Sequence, residues 1–163
     1  MSVSTVIHLR NLPMPPTMNR LYPTGKNGRR YKDKRHPFFG AVTDYWKMNR
    51  LAIKGIQIRI EKMIESGCVF EVQRYFCFNY GSLYTKKKTV KRMDVTNRIK
   101  AFDDEVISGL IGLDDQYIWK GTEEKIEVVD DGPEFVHVSI RPFEKPATTK
   151  DLSGRFTFDL RKK

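Results

Sequence analysis

The feature that most constrains the fold is a long amphipathic pattern that leads directly into an alternating one. From Phe39 to Met63 the apolar residues follow three-four spacing, which predicts a helix over about 38–66 that ends at Ser66-Gly67. The next stretch, VFEVQRYFCFNY at 69–80, places aromatic and β-branched residues on one parity, which predicts a strand. Together they indicate a helix packed against a sheet.

Three further strands and a second helix are predicted from local patterns. The strands are expected over 5–11, 117–129 and 135–143, the last two joined at an Asp-Asp-Gly-Pro turn. The second helix is expected to have Thr96 as its N-cap and to run to about Leu110, closing near Gly109 or Gly112.

These elements alternate too irregularly for a doubly wound fold, so the predicted class is α+β. We expect a small mixed or antiparallel sheet packed with a long helix and a shorter one. At 163 residues the chain is long enough for one domain, predicted over 1–145 and followed by a flexible tail over 146–163.

The charge balance favours a polyanionic partner. The net charge is +10, and cations concentrate in KNGRRYKDKR at 26–35 and in KKKTVKR at 86–92. Two basic loops without a basic amphipathic helix suit phosphate contacts better than a membrane surface, although two solvated loops are the alternative. The sequence has no apolar run of membrane-spanning length and no secretory pattern. Its two cysteines suit buried free thiols, which a reducing compartment preserves. The chain is therefore expected in the cytoplasm.

The second helix carries acids in an unexpected place. At about 100° per residue, Ile99, Phe102, Val106, Ile107 and Leu110 form an apolar stripe. Asp103 falls inside this stripe, where an unpaired carboxylate is costly, so it needs a cation partner, a metal or a cleft. Asp104 lies on the flank with Asn97 and Lys100, whereas Glu105 is expected to face solvent.

Further acids lie at both ends of this helix. Asp94 precedes it, and Asp114-Asp115 follow it at the start of a strand. A loop, a helix face and a strand end can bring these carboxylates to one point, and such oxygen ligands beside basic loops suit a Mg²⁺-dependent phosphodiesterase. The alternative is that Asp94 only supports the helix N-terminus and Asp114-Asp115 form a turn.

Two segments resemble a known family. LPMPPTMNRLY at 12–22 and KRMDVTNRIKAFDD…GLDD, which begins at Lys91, resemble the proline-rich segment and the acidic motif of the RusA family of Holliday-junction resolvases, as found in prophages. The resemblance spans about 7–130. In the family motif the second acid of Asp-x-Asp stands where this chain has Thr96.

The resemblance implies a homodimeric Mg²⁺-dependent endonuclease, with Mn²⁺ as a possible substitute, that resolves four-way DNA junctions by paired symmetric cuts. It implies that the shorter helix is catalytic and that the catalytic residues are Asp94, Lys100 and Asp115. Asp94 and Asp115 would also bind the metal, and we hypothesise that Asp103 replaces the acid missing at position 96. Residues expected to support these ligands are Asn97, Asp104 and Asp114.

Cations of the two basic loops and two residues of the proline-rich segment are the predicted DNA contacts. They are Asn19, Arg20, Arg29, Arg30, Lys86, Lys87, Lys88, Lys91 and Arg92. Two alternatives remain open: a junction-binding protein that has lost cleavage, which Thr96 favours, and a metal-dependent nuclease for other branched DNA or RNA.

Overall fold

A computed structural model describes residues 6–29, 32–92, 95–129 and 132–143. Its strands are β1 (Ile7–Pro13), β2 (Val69–Phe78), β3 (Ile118–Glu127) and β4 (Phe135–Phe143). Its α-helices are α1 (Met18–Leu21), α2 (Pro37–Glu65), α3 (Tyr80–Leu83) and α4 (Thr96–Phe102). The predicted tail lies outside the described residues.

The strands form one mixed sheet in the order β1-β4-β2-β3. β4 is antiparallel to both β1 and β2, whereas β3 is parallel to β2. The predicted α+β class, with a long helix and a shorter one on a small sheet, is therefore confirmed. β3 and β4 follow each other in sequence but are not neighbours, because β2 lies between them.

The core lies between one face of the sheet and the helices. Phe70, Val72, Phe76 and Phe78 alternate along β2 and are buried, as their shared parity predicted. The Phe76 ring packs edge-on against Phe102 of α4, with ring centroids 6.1 Å apart. Burial of this apolar face anchors α4 on the centre of the sheet.

The long helix begins one residue before the predicted start, at Pro37, whose fixed φ suits a first helical turn. The His36 ring accepts a hydrogen bond from the Phe38 N–H and caps the helix. Asn49 has non-helical dihedral angles and kinks α2, and its side-chain amide donates to the Tyr45 carbonyl at 2.9 Å. Among the described residues, no helix is long and apolar enough to cross a membrane.

The opposite face of the sheet contains a buried acid. The Arg141 guanidinium donates to the Glu71 carboxylate at 2.8 Å, and the Lys120 ammonium lies 3.0 Å from the other oxygen. Burial alone would raise the pKa of Glu71, but hydrogen bonds from Lys120 and Arg141 lower it below its ordinary value. The ionised carboxylate thus ties β2 to both of its neighbours.

Replacing Glu71 with glutamine should lower the free energy of unfolding at neutral pH by about 1–2 kcal/mol, because charge-assisted hydrogen bonds are removed. A lowered folded-state pKa means that this contribution is present above the ordinary glutamate pKa and is lost as the pH falls through the folded-state value. Denaturant unfolding at neutral and strongly acidic pH checks both points. A difference between the two proteins that persists at acidic pH would contradict the ionised pairing.

Candidate functional site

Four aspartates line one cavity of about 190 Å³, which we call the acidic cavity. Its carboxylate-bearing residues are Asp103, Asp104, Asp114 and Asp115. The remaining walls are Ser108 and the apolar residues Ile107, Leu113 and Ile118. The structure therefore brings acids that directly follow α4 together with acids that directly precede β3.

The backbone around the cavity departs from the predicted straight α-helix. α4 begins at Thr96 with Val95, not Thr96, as its cap, and from Asp103 to Ser108 the chain forms a π-helical segment. A π-helix closes i→i+5 hydrogen bonds, is rare, and is often found at functional sites. Gly112, at φ +79°, then reverses the chain at a position that favours glycine and leads it into Asp114 and Asp115.

Asp103 has a cation partner that the sequence analysis did not identify. The Arg74 Nε and Nη2 atoms donate to the two oxygens of Asp103 at 2.8 and 2.7 Å. The side chains of Arg74 and Asp103 are 4% and 26% exposed. Gly121 makes room for the guanidinium, since a Cβ there would lie 3.1 Å from Arg74 Nη1. Asp103 is thus an ion-pair partner that also lines the acidic cavity.

A signal for this pair was present in the sequence. Arg74 shares the parity of the buried residues of β2, and Asp103 falls in the apolar stripe of the shorter helix. Two opposite charges at buried positions of adjoining elements are expected to pair, because an isolated buried charge is strongly destabilising.

Burial and the neighbouring charges affect the ionisation of Asp103. Burial raises the pKa of Asp103, and the charges of Asp104 and Asp115 raise it further, while the hydrogen bonds and charge of Arg74 act in the opposite direction. Burial also raises the pKa of Tyr22, and the nearby Asp104 adds to this effect. Tyr22, from the proline-rich segment, is therefore a second neighbour of the acids that the sequence analysis missed.

Glu105 does not face solvent as predicted. Its carboxylate pairs with the Lys32 ammonium, which also lies 4.7 Å from the centroid of the Phe39 ring. The π-helical segment changes the angle per residue, so the α-helical wheel no longer applies at this position. This ion pair connects the first basic loop to the π-helical segment that carries Asp103 and Asp104.

The donor set of the cavity suits a hard divalent cation, because Mg²⁺ prefers carboxylate oxygens and retains bound waters. Within the four described ranges, however, no three Asp, Glu, His or Cys side chains converge closely enough to hold an ion. Asp103 already binds Arg74 through both oxygens. Asp104, Asp114 and Asp115 remain the candidate ligands in the cavity, and Asp94, the other predicted ligand, lies outside the described residues.

Two other residues that were predicted for the catalytic site lie apart from the cavity, and a third, Asp114, lines the cavity but also caps a turn. Lys100 and Asn97 are exposed on α4 and do not line it. The Asp114 side chain accepts a hydrogen bond from the Gln116 N–H at 3.1 Å and so caps a 3₁₀ turn over Asp115–Tyr117. This capping role agrees with the alternative that Asp114 and Asp115 form a turn.

The second basic loop is an ordered hairpin-like turn. Tyr84 and Val90 form an antiparallel bridge, and Thr85 and Thr89 are joined by a backbone hydrogen bond of 2.8 Å. The lysines at its tip are exposed, and the next two predicted DNA contacts are exposed as well. These five residues are Lys86, Lys87, Lys88, Lys91 and Arg92.

In the proline-rich segment and the first basic loop, Arg20 and Arg29 are exposed. Arg30 and the side chain of Asn19 lie outside the described residues. The proline-rich segment contacts the shorter helix, since the Arg98 guanidinium donates to the Pro15 carbonyl. The two segments that resemble the RusA family are therefore in contact in the folded chain.

Comparisons with known families and with curated proteins identified no relative of this chain. No protein-family model matches the chain, and a search of curated proteins found no significant match.

Proposed function

We propose that this chain is a Mg²⁺-dependent endonuclease that resolves four-way DNA junctions by paired symmetric cuts. The observation that supports it best is the acidic cavity, which four aspartates from two segments line although the chain carries a net charge of +10. Carboxylate oxygens that line one cavity favour the binding of a hard divalent cation there. The choice of four-way junctions rests on the resemblance to the RusA family.

In this proposal Asp115 and Asp94 hold the ion, with Asp104 and Asp114 beside them. A bound Mg²⁺ would supply an activated water and polarise the scissile phosphate. Arg74 holds Asp103 in place through two hydrogen bonds, so that this wall of the cavity is fixed before any ligand arrives. Lys100 is assigned by the resemblance to stabilise developing negative charge.

DNA binding is assigned to the two basic loops. The hairpin-like turn over Thr85–Thr89 presents three consecutive exposed lysines, which suit phosphate contacts rather than base reading. Two copies of the chain would serve the two scissile phosphates of a nearly two-fold junction, so the proposed active form is a C₂ dimer in the cytoplasm.

Changing Lys86, Lys87 and Lys88 together to alanine should weaken junction binding and reduce the slope of log affinity against log salt by about 0.9 for each phosphate that is no longer neutralised. The reason is that each neutralised phosphate releases condensed counterions. Affinity measured across a salt series checks this. An unchanged slope would place the DNA-binding surface elsewhere, and Lys54→Ala on α2, outside both basic loops, is a control for the removal of an exposed charge.

The proposed activity is tested by incubating the full chain with a synthetic mobile four-way junction in Mg²⁺, in Mn²⁺ and in EDTA. Symmetric nicks in Mg²⁺ that disappear in EDTA are expected. Linear duplex of the same sequence is the matched substrate control. Equal cleavage of the linear duplex would contradict junction selectivity, and cleavage in EDTA would contradict metal dependence.

A second candidate function is junction binding without cleavage. It is favoured by Thr96 at the position of a motif acid and by the engagement of both Asp103 oxygens with Arg74. Tight, structure-selective binding with no nicks in Mg²⁺ or Mn²⁺ would select this function. Cutting of other branched DNA or RNA in preference to four-way junctions would select the remaining alternative.

A further inference from the structure

The face of the sheet opposite the helical core contains a second cavity, of about 270 Å³. It shares no residue with the acidic cavity. Residues of β1, β4 and β2 line it, and six of them have polar side chains. These six are His8, Arg10, Gln73, Tyr75, His137 and Ser139. We call this the donor cavity, because hydrogen-bond donors dominate its lining.

The pairing of the strands explains why these side chains lie together. His8 of β1 lies opposite Ser139 of β4, and Ser139 lies opposite Gln73 of β2 on its other side. In the next row along, His137 lies opposite Tyr75. Side chains of one row point to the same face of a sheet, and neighbouring strands are about 4.8 Å apart. The polar side chains of both rows therefore form one patch.

A β-bulge in β1 completes the second row. The register of β1 against β4 shifts between Leu9 and Leu12. Two residues, Arg10 and Asn11, therefore lie opposite the single residue His137. Asn11 adopts φ +54°, a left-handed conformation that asparagine tolerates better than most residues, and its N–H donates to His137 Nδ1 at 3.1 Å. The bulge thus places Arg10 in the cavity and holds the His137 ring.

The hydrogen bond from Asn11 determines which nitrogen of His137 carries the proton. Because Nδ1 accepts, the neutral ring has its proton on Nε2 and can donate from that atom. The ring also packs against Phe135, with ring centroids 4.7 Å apart. Burial lowers the pKa of His137, and the positive charge of Arg10 lowers it further. His137 is therefore a neutral donor with a fixed orientation beside a cation.

No carboxylate lines the donor cavity within the part of the chain that the structure describes. The amide oxygen of Gln73 already accepts from the Tyr75 hydroxyl at 3.0 Å. The carboxylate of Glu71, on the same face of the sheet, is compensated by its pairs with Arg141 and Lys120. The cavity thus presents a guanidinium, two imidazoles and a serine hydroxyl, and each of these groups can donate a hydrogen bond.

We propose that the donor cavity binds a phosphate group. The guanidinium of Arg10 can form charge-assisted hydrogen bonds with phosphate oxygens, and the imidazole and hydroxyl donors suit the remaining oxygens. The cavity is smaller than the roughly 300–1,000 Å³ of sites that enclose a whole small ligand, so it suits one group of a larger molecule. This inference does not rest on the proposed nuclease, since it uses no residue of the acidic cavity or of the basic loops.

The first test is a titration of the full chain with inorganic phosphate, followed by the NMR signals of the histidine rings. The His8 and His137 signals should shift with one saturable dissociation constant. His36 is the internal control, because its Nδ1 atom also accepts a backbone N–H but the residue lies outside the cavity. Its signal should not respond. Absence of saturable shifts, or equal shifts with sodium chloride at the same ionic strength, would overturn the proposal.

The second test uses variants of the lining, with binding followed at His137. Arg10→Gln should weaken phosphate binding about tenfold or more, because a charge-assisted hydrogen bond is lost. His8→Ala should weaken it by a smaller factor. Both residues are exposed, so both variants should unfold at the denaturant concentration of the wild type. Lys54→Gln removes an exposed charge on α2 and should leave the affinity unchanged. Equal affinities of Arg10→Gln and the wild type would contradict the assignment.

The third test identifies the molecule that carries the phosphate. If it is a nucleic-acid backbone, a four-way junction should displace inorganic phosphate, and Arg10→Gln should reduce the salt slope of junction binding by about 0.9. If it is a free nucleotide, a deoxynucleoside monophosphate should bind more tightly than inorganic phosphate and the salt slope should not change. Displacement by neither molecule would overturn the proposal.

The outcomes are separate from those of the proposed function. Loss of junction cleavage together with intact phosphate binding would contradict only the nuclease activity. Normal cleavage without phosphate-induced shifts of His8 and His137 would overturn only the donor cavity.

Discussion

Replacing Asp115 with asparagine should lower Mg²⁺-dependent cleavage of a four-way junction by about 10²–10³-fold, since a metal ligand contributes several kcal/mol to transition-state stabilisation. Asp115 is exposed at the cavity rim, and no ion pair among the described residues involves it, so the fold should be retained. Junction affinity should be unchanged or stronger, because a negative charge near the polyanion is removed. Single-turnover cleavage and binding assays measure the two effects separately.

Glu123→Gln is the matched control for this variant, because Glu123 is an exposed acid on β3 outside the acidic cavity. It should cut junctions at the wild-type rate. Asp94→Asn is expected to behave like Asp115→Asn, on the register of Asp94 with the family motif. Normal turnover by Asp115→Asn would remove Asp115 from the proposed metal site.

Replacing Asp103 with leucine should lower the free energy of unfolding by about 3 kcal/mol or more, because the buried guanidinium of Arg74 would have no ion-pair partner. An arginine cannot escape this penalty by losing its proton. Asp103→Asn should cost less, since an amide oxygen still accepts one hydrogen bond from the guanidinium. Denaturant unfolding of the three proteins tests this order.

The double variant Arg74→Met with Asp103→Leu is the decisive control for the pair. Removing both charges together should recover much of the stability that Asp103→Leu removes, because no unpaired buried charge remains. Additive effects would show that the pair does not act as a unit. Asp103→Asn also tests the hypothesis that Asp103 binds Mg²⁺. Cleavage at the wild-type rate would restrict its role to pairing with Arg74 and leave Asp104, Asp114 or water as the third ligand.

Features of the fold that depend on residues close together in sequence were predictable, and features that depend on distant segments were not. The long helix was predicted to within one residue at each end, because three-four spacing and the breaks at Pro37 and Gly67 are local signals. The buried parity of β2 was predicted for the same reason. Strand order was not predictable from local patterns, since the insertion of β2 between β3 and β4 depends on pairing between distant segments.

The candidate site was likewise predictable only in part. The positions of the acids along the chain indicated that carboxylates before, on and after the shorter helix could lie near one point, and four of them, Asp103, Asp104, Asp114 and Asp115, line one cavity. The π-helical segment was hidden, because an apolar stripe reports burial and not the hydrogen-bond register of the backbone.

The partner of Asp103 was decided only by tertiary structure. Arg74 and Asp103 are separated by 29 residues, and their contact depends on the packing of the shorter helix across β2. The residue pattern of the shorter helix indicated that Asp103 would lie on its apolar face. The packing of helix on sheet determined which charges would pair, because a buried ion pair requires both groups within hydrogen-bonding distance and in matching orientation.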